Sequence, residues 1–319
     1  MRWLSASRTL GRRLCGAALA GCVTIAGVAA GAAGCDETVP GETYVYVIDD
    51  MRILIDPEPA DEGPGVIDGF DVDGVDGPVA EGNACRAVQQ EDYTAPDGRH
   101  GIDNGLAGGG LVGLVTLLAA QEEDSADIFA GLVQSAVTGG TLLVLLEFQD
   151  VNSFENDDHV ILRVALGEPF DVGVGTDGRL LSGQSFDLRD VEPVVIETSI
   201  EDGVLFASGI SLQLEGSILD VEFELPISLG QLRVDFNPNG TITGVLGGAL
   251  PWTTLADVIP RIGGASQFAT LGRAILRGIA DVMNVETGEC DRISASIRVH
   301  GVPAFIYGDT AGTADAGVP

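Results

Sequence analysis

The sequence contains no lysine: its 16 basic residues are all arginine, set against 48 acids, for a formal net charge of −32. Such a surface repels phosphate backbones, which argues against a nucleic-acid partner. The all-arginine usage fits a GC-rich genome better than any binding role. Only three histidines and five cysteines occur, no two cysteines show CxxC spacing, and no internal repeat is convincing. No GxSxG, HExxH, SxxK or P-loop pattern is present. His100 and His300 have no serine or cysteine nucleophile beside them in a recognisable motif. Carboxylates are so frequent that no catalytic pair can be singled out. What the chain does have is apolar content: 45% of its residues are hydrophobic, enough to bury a core despite the charge.

The most informative stretch is at the start. Leu14 to Cys35 is apolar or small throughout apart from Thr24; it follows Arg2, Arg8, Arg12 and Arg13 with no acid, and it ends in Ala32-Ala33-Gly34-Cys35. Basic residues, an apolar core and small residues before a cut make an export signal. The small residues before Cys35 resemble the lipobox of bacterial lipoproteins, where a peptidase cuts ahead of a cysteine that carries diacylglycerol. That resemblance implies residues 1–34 as signal peptide, Cys35 as the lipidated first residue, 35–42 as a tether, and a membrane partner through the lipid. Two alternatives stand beside it: a plain secretory signal, and an uncleaved anchor, since the segment is long enough to span a bilayer. Leu19-Ala20-Gly21-Cys22 is formally the better lipobox but sits too early to leave an adequate apolar core before the cut. Removal of residues 1–34 takes four arginines and no acid, so the mature chain has 12 arginines against 48 acids, a charge of −36.

With Cys35 assigned to lipid, Cys85 and Cys290 remain. In an oxidising compartment such a pair is expected to form a disulfide. A bridge over 205 residues removes about 5 kcal/mol of unfolded-state entropy as an upper bound. A metal or redox pair is the competing reading.

Along the mature chain, 43–49 and 52–56 read as strands, and 57–104 as a long Gly/Asp/Pro-rich connection. Residues 106–120 and 124–138 read as two apolar helices, the second capped by Asp124 or Ser125. From Thr141 onward the dominant period is two. Leu219, Val221, Phe223 and Leu225 alternate with acids, as do Leu232, Val234 and Phe236 with polar residues. Runs at 142–148, 159–166, 194–200, 204–207, 210–214 and 241–246 follow the same pattern. Asp202-Gly203 and Asn237-Pro238-Asn239-Gly240 mark hairpin turns. A short helix is expected from Thr253 or Thr254, then a second with the stripe Leu271, Ile275, Ile279 and Val282. A last strand covers 292–300 and continues past Pro303. Residues 308–319 read as a flexible tail.

The acidic loop holds the candidate site. Asp71, Asp73 and Asp76 lie at i, i+2 and i+5 with Gly74 between, so several carboxylates can converge on one hard cation. The order resembles acidic calcium loops of the thrombospondin type 3 kind, with Gly69 where another Asp is expected and no companion repeat. It departs from an EF-hand. A solvated acidic loop is the plainer alternative to calcium. A second acidic turn at Asp97, Asp103 and Asn104 either joins this site or forms a structural turn before the helix; the turn is favoured. Glu155, Asp157, Asp158 and His159 read as a polar hairpin loop rather than a metal site. The segments Gly69 to Gly74, Pro96 to Asn104 and Cys290-Asp291 resemble envelope lipoproteins of the myxobacterial kind, a family with no established activity. That likeness runs over about residues 43–306.

The expected architecture is one α+β domain over 43–307, mainly an antiparallel β-sandwich or strongly curved sheet with two helical segments packed on it. The expected role is a non-enzymatic, exported, membrane-anchored envelope protein that binds or scaffolds an envelope partner. The alternatives are a carrier of a lipid or other hydrophobic ligand and an envelope hydrolase. A lined apolar cavity favours carriage or catalysis, and a filled core favours scaffolding.

Overall fold

A computed structural model describes residues 41–61, 63–74, 85, 92–107, 125–218, 221–263, 269–284 and 286–307. The signal, Cys35, most of the tether, the first expected helix beyond residue 107, Asp76 and the tail from 308 lie outside them.

The strands are Glu42–Ile53 (β1), Val144–Val151 (β2), Asp157–Leu166 (β3), Ser185–Phe186 (β4), Val194–Glu201 (β5), Val204–Ile218 (β6), Val221–Phe236 (β7), Ile242–Pro251 (β8), Val282–Met283 (β9), Cys290–Pro303 (β10) and Phe305–Ile306 (β11). The helices are Ser125–Thr138 (α1), Trp252–Gly263 (α2) and Ala269–Gly278 (α3). The large sheet runs β1-β2-β3-β5-β6-β7-β8-β10-β9, and β1 also pairs with β10. That last pairing closes the curved sheet into a ring of eight antiparallel strands, with β9 extending β10. A closed ring removes the unpaired edges that an open sheet exposes. β4 and β11 form a small parallel pair apart from the ring.

The alternation in the sequence becomes inside and outside. Ile48, Val144, Leu146, Val164, Leu212, Leu232, Leu246 and Val299 meet in the interior, while Glu197, Gln213 and Glu224 are exposed outside. Apolar inside and charged outside is the reverse of a membrane-spanning barrel. No helix among the described residues is long and apolar enough to cross a membrane.

Among the described residues the interior is closely packed around a cavity of about 20 Å³, lined only by apolar side chains. The hairpin end is filled by a chain of rings, with centroids 4.6 Å apart for Tyr44–Phe154, 4.7 Å for Phe154–Phe236 and 5.1 Å for Phe148–Phe236. At the other end α1 contacts β1 and β6, which stand opposite each other in the ring, so the helix lies across the opening.

Where the sequence suggested two strands, the ring often has one bent strand. β1 carries a bulge between Ile48 and Asp50, which keeps Ile48 and Met51 both inside. β7 runs through Pro226, which lies opposite Gln213 of β6 and short of the β8 pairing that begins at Ser228; the register then slips between Ser228 and Gln231, with Leu229 at φ 53°. The Asp202-Gly203 turn has φ 50° and 82°, as a tight hairpin requires. The expected stripe on the last helix is corrected. α3 stops at Gly278, Leu271 is 48% exposed, and the packed residues are Ile275, Leu276 and Ile279. Val282 belongs to β9 and packs with Phe70 and Val245 instead.

Candidate metal centre

The described residues of 54–61, 63–74 and 92–107 form a strap across the outer faces of β7, β8 and β10, and the candidate site sits in it. Several bonds fasten the strap to the ring: Leu54 N donates to Ser296 O at 2.8 Å, Gln231 Nε2 to Asp71 O at 2.7 Å, and Arg233 to Asp68 at 2.9 Å. Its own described segments pair as Val66 with Thr94, Phe70 with Asp103 and Tyr93 with Ile102. The Cys85–Cys290 disulfide, Cα atoms 5.1 Å apart, ties its middle to the start of β10. The long connection is therefore held along its described length, not only at Cys85.

Glycine lets the two layers approach. A Cβ on Gly247 of β8 would stand 2.4 Å from Phe70 Cδ2, and one on Gly69 would stand 2.5 Å from Ser296 Oγ. Phe70 is thereby buried against Val245, Ala249 and Val282, which fixes the chain on either side of it.

Immediately after Phe70 the chain turns, and Asp71, Asp73 and Asp103 each offer an oxygen within 4.8 Å of the others. Asp103 is buried and accepts from Val72 N at 2.7 Å and Asp73 N at 3.1 Å through Oδ2. Asp71 Oδ1 accepts from Gly74 N at 2.6 Å, with Gly74 at φ 77°. These bonds shape the loop while the carboxylates, with about four lone-pair sites each, retain acceptor capacity. Oxygens on opposite sides of one Ca²⁺ ion lie about 4.8 Å apart, so the three are spaced as ligands of a single hard cation. The cluster can hold a metal ion.

Asp71 and Asp73 thus meet as their spacing suggested. Asp76 lies outside the described residues, and Asp103 arrives from the second acidic turn, 30 residues on from Asp73. The sequence offered the joining of the two segments as the less favoured alternative to a structural turn; the Phe70–Asp103 bridge that brings them together is a tertiary contact. Asp97 stays in its own turn, bonded to Arg99 at 2.8 Å. Burial raises the Asp97 carboxyl, but the Arg99 hydrogen bonds and charge outweigh it and hold it below its ordinary value. Asn104 faces a different partner, donating Nδ2 to Leu54 O at 2.8 Å.

Two other polar groups were not singled out from sequence. Asp49, buried on the β1 bulge, meets His300 Nδ1 of β10 at 2.5 Å, and next to it Asp50 meets Arg179 at 2.6 Å. Burial pushes the Asp49 carboxyl up, with His300 and Arg179 opposing. The pair pins the seam where the ring closes. Asp281, also buried, accepts from the backbone N and the hydroxyl of Ser294. Compared with protein-family models, curated proteins and solved structures, the chain shows no significant match to any of them.

Proposed function

We propose that this is an exported protein of the bacterial cell envelope, anchored to a membrane through lipid on Cys35, whose barrel is a rigid binding or scaffolding module stabilised by Ca²⁺. The observation that carries the reading is the filled interior. A carrier of a hydrophobic ligand needs an enclosed apolar cavity of roughly 300–1,000 Å³, whereas the apolar cavity described inside the barrel holds about 20 Å³. What the fold offers to a partner is its outer surface.

Calcium is the cation of choice for the strap. Asp71, Asp73 and Asp103 supply only oxygen, from a loop whose shape tolerates a flexible shell, and Mg²⁺ demands stricter octahedral geometry. Three neighbouring carboxylates repel one another, so a divalent ion relieves the repulsion and stabilises the folded state by mass action.

Intact mass of the membrane-extracted protein tests the anchor: the expected species begins at Cys35 and carries added lipid, and a chain that begins elsewhere overturns it. Thermal melting with millimolar Ca²⁺ and with chelator tests the metal. A rise in Tm that Asp103→Asn abolishes is expected; an unshifted Tm reduces the cluster to a solvated turn.

A further inference from the structure

The outer layer made by residues 167–190 and 304–307 holds five of the ten large apolar side chains that the described residues expose: Phe170, Val174, Leu181, Phe305 and Tyr307. Backbone bonds join the segments that carry them. β11 lies against β4 through Phe305–Ser185, Tyr307 N bonds Phe186 O at 2.8 Å, and Phe170 stacks edge-on to Phe186 at 5.9 Å. Leu181 N bonds Gly173 O at 2.9 Å, and Gly183 N reaches Pro303 O at 2.7 Å. Phe305 and Tyr307, two apart on an extended chain, point the same way and are 61% and 71% exposed, while Ile306 between them packs inward. Scattered apolar residues need no explanation, but two strongly exposed aromatic rings on the same side of one strand point to a contact surface.

From this clustering, and resting on the lipid-anchor reading above, we infer that the patch lies on the membrane, with Phe305 and Tyr307 seated in the headgroup region of a zwitterionic bilayer. The tether decides the occupant. Five residues lie between Cys35 and Gly41, so the six Cα–Cα steps reach about 20 Å at full extension. Gly41 is fixed where the chain joins the ring, its N–H bonded to Asp150 at 2.7 Å. Four residues along β1, Val45 O accepts from Ala304 N at 2.9 Å, one residue before Phe305. A lipid on Cys35 therefore holds this flank of the barrel at the bilayer surface. At such a boundary both rings gain by leaving water, and tyrosine keeps its hydroxyl wet while it does so.

Charge selects the lipid. The mature chain carries 12 arginines against 48 acids, and the layer's two arginines are engaged, Arg179 with Asp50 and Arg189 with Glu215. Nothing here attracts anionic headgroups.

The test uses the full-length, membrane-extracted protein reconstituted in phosphatidylcholine vesicles that contain a lipid with a shallow spin-label quencher. Phe305→Trp is compared with Phe206→Trp, a half-exposed position on β6 across the ring from β1, against the same Trp252 background. Quenching at least twofold greater for Phe305→Trp supports the contact. Vesicles that float with the protein while quenching is equal or absent at Phe305→Trp overturn the patch but keep the anchor. Protection of Phe305→Trp from an aqueous quencher that depends on protein concentration rather than lipid assigns the patch to a second copy and overturns it as well. Failure to float sinks the anchor reading and the inference with it.

Discussion

Ser294 and Ser296 stand two residues apart on the outer face of β10, both fully buried beneath the strap, yet only the first is hydrogen-bonded through its hydroxyl. Ser294 Oγ accepts from Gly105 N at 2.7 Å and donates to Asp281, whereas Ser296 Oγ has no partner among the described residues. Alanine at 294 leaves a buried amide and weakens the hold on a buried carboxylate, a cost of about 1–3 kcal/mol. Alanine at 296 removes a hydroxyl that was desolvated for nothing and is expected to be neutral or to stabilise by up to ~1 kcal/mol. Urea unfolding of both variants compares them directly. Equal losses would refute the assignment of their environments.

The Cys85–Cys290 bridge closes a 205-residue loop and holds the strap over β10. Its removal by the double substitution Cys85→Ser/Cys290→Ser is expected to cost about 2–5 kcal/mol, since a cross-link acts mainly on the unfolded chain. Alkylation without reductant should leave both residues unmodified. Ready labelling of both under native and denaturing conditions would show that no bridge forms in the protein.

Asp157 gives the pH dependence. Its carboxylate accepts from Asn152 N at 2.6 Å, Ser153 N at 3.3 Å and His159 N at 3.2 Å, closing the β2–β3 turn. Burial pushes its pKa up, but these backbone donors outweigh it and the net shift is downward. An acid held below its unfolded value stabilises the fold above that value, about 3.9, and loses the contribution as pH falls through the folded one. Asp157→Asn should therefore lower Tm at pH 7, with the gap to the parent narrowing below about pH 4. A gap that is constant from pH 7 to pH 3 would rule out the ionised turn.

Much of the barrel was legible because alternation survives any curvature of the sheet: Val160, Leu162 and Val164 must share a face whether the sheet is flat, stacked or closed. Closure itself was not legible. It depends on β1 pairing with β10 from opposite ends of the chain, and a local pattern carries no register for so distant a partner. The strap shows the same limit. Gly69, Asp71 and Asp73 announce a tight acidic turn, but Gly247 reads as an anonymous glycine in a strand until Phe70 is seen against it. Asp103 is likewise a turn residue in sequence and a cluster member in space, because the bridge to Phe70 spans residues that no spacing rule relates.

The barrel interior supplies the last prediction, and it separates a solid scaffold from a carrier. Ile48, Val164, Leu232 and Leu246 line a space of about 20 Å³, too small and too apolar for more than a dry void. Neither a fatty-acid analogue nor an apolar dye should enter the parent protein. Leu246→Ala deletes methyl groups from a packed wall and is expected to cost about 2–5 kcal/mol, the cost rising with the volume left unfilled. The enlarged cavity should take up xenon or benzene, seen as a ligand-dependent rise in Tm that the parent lacks. Val164→Ile tests the same space from the other side: a methylene that fills the void should leave stability unchanged or slightly raised, whereas a well-filled core would lose about 1–3 kcal/mol to overpacking. Saturable binding of a long-chain lipid inside the parent barrel would contradict the filled interior and return carriage as the function.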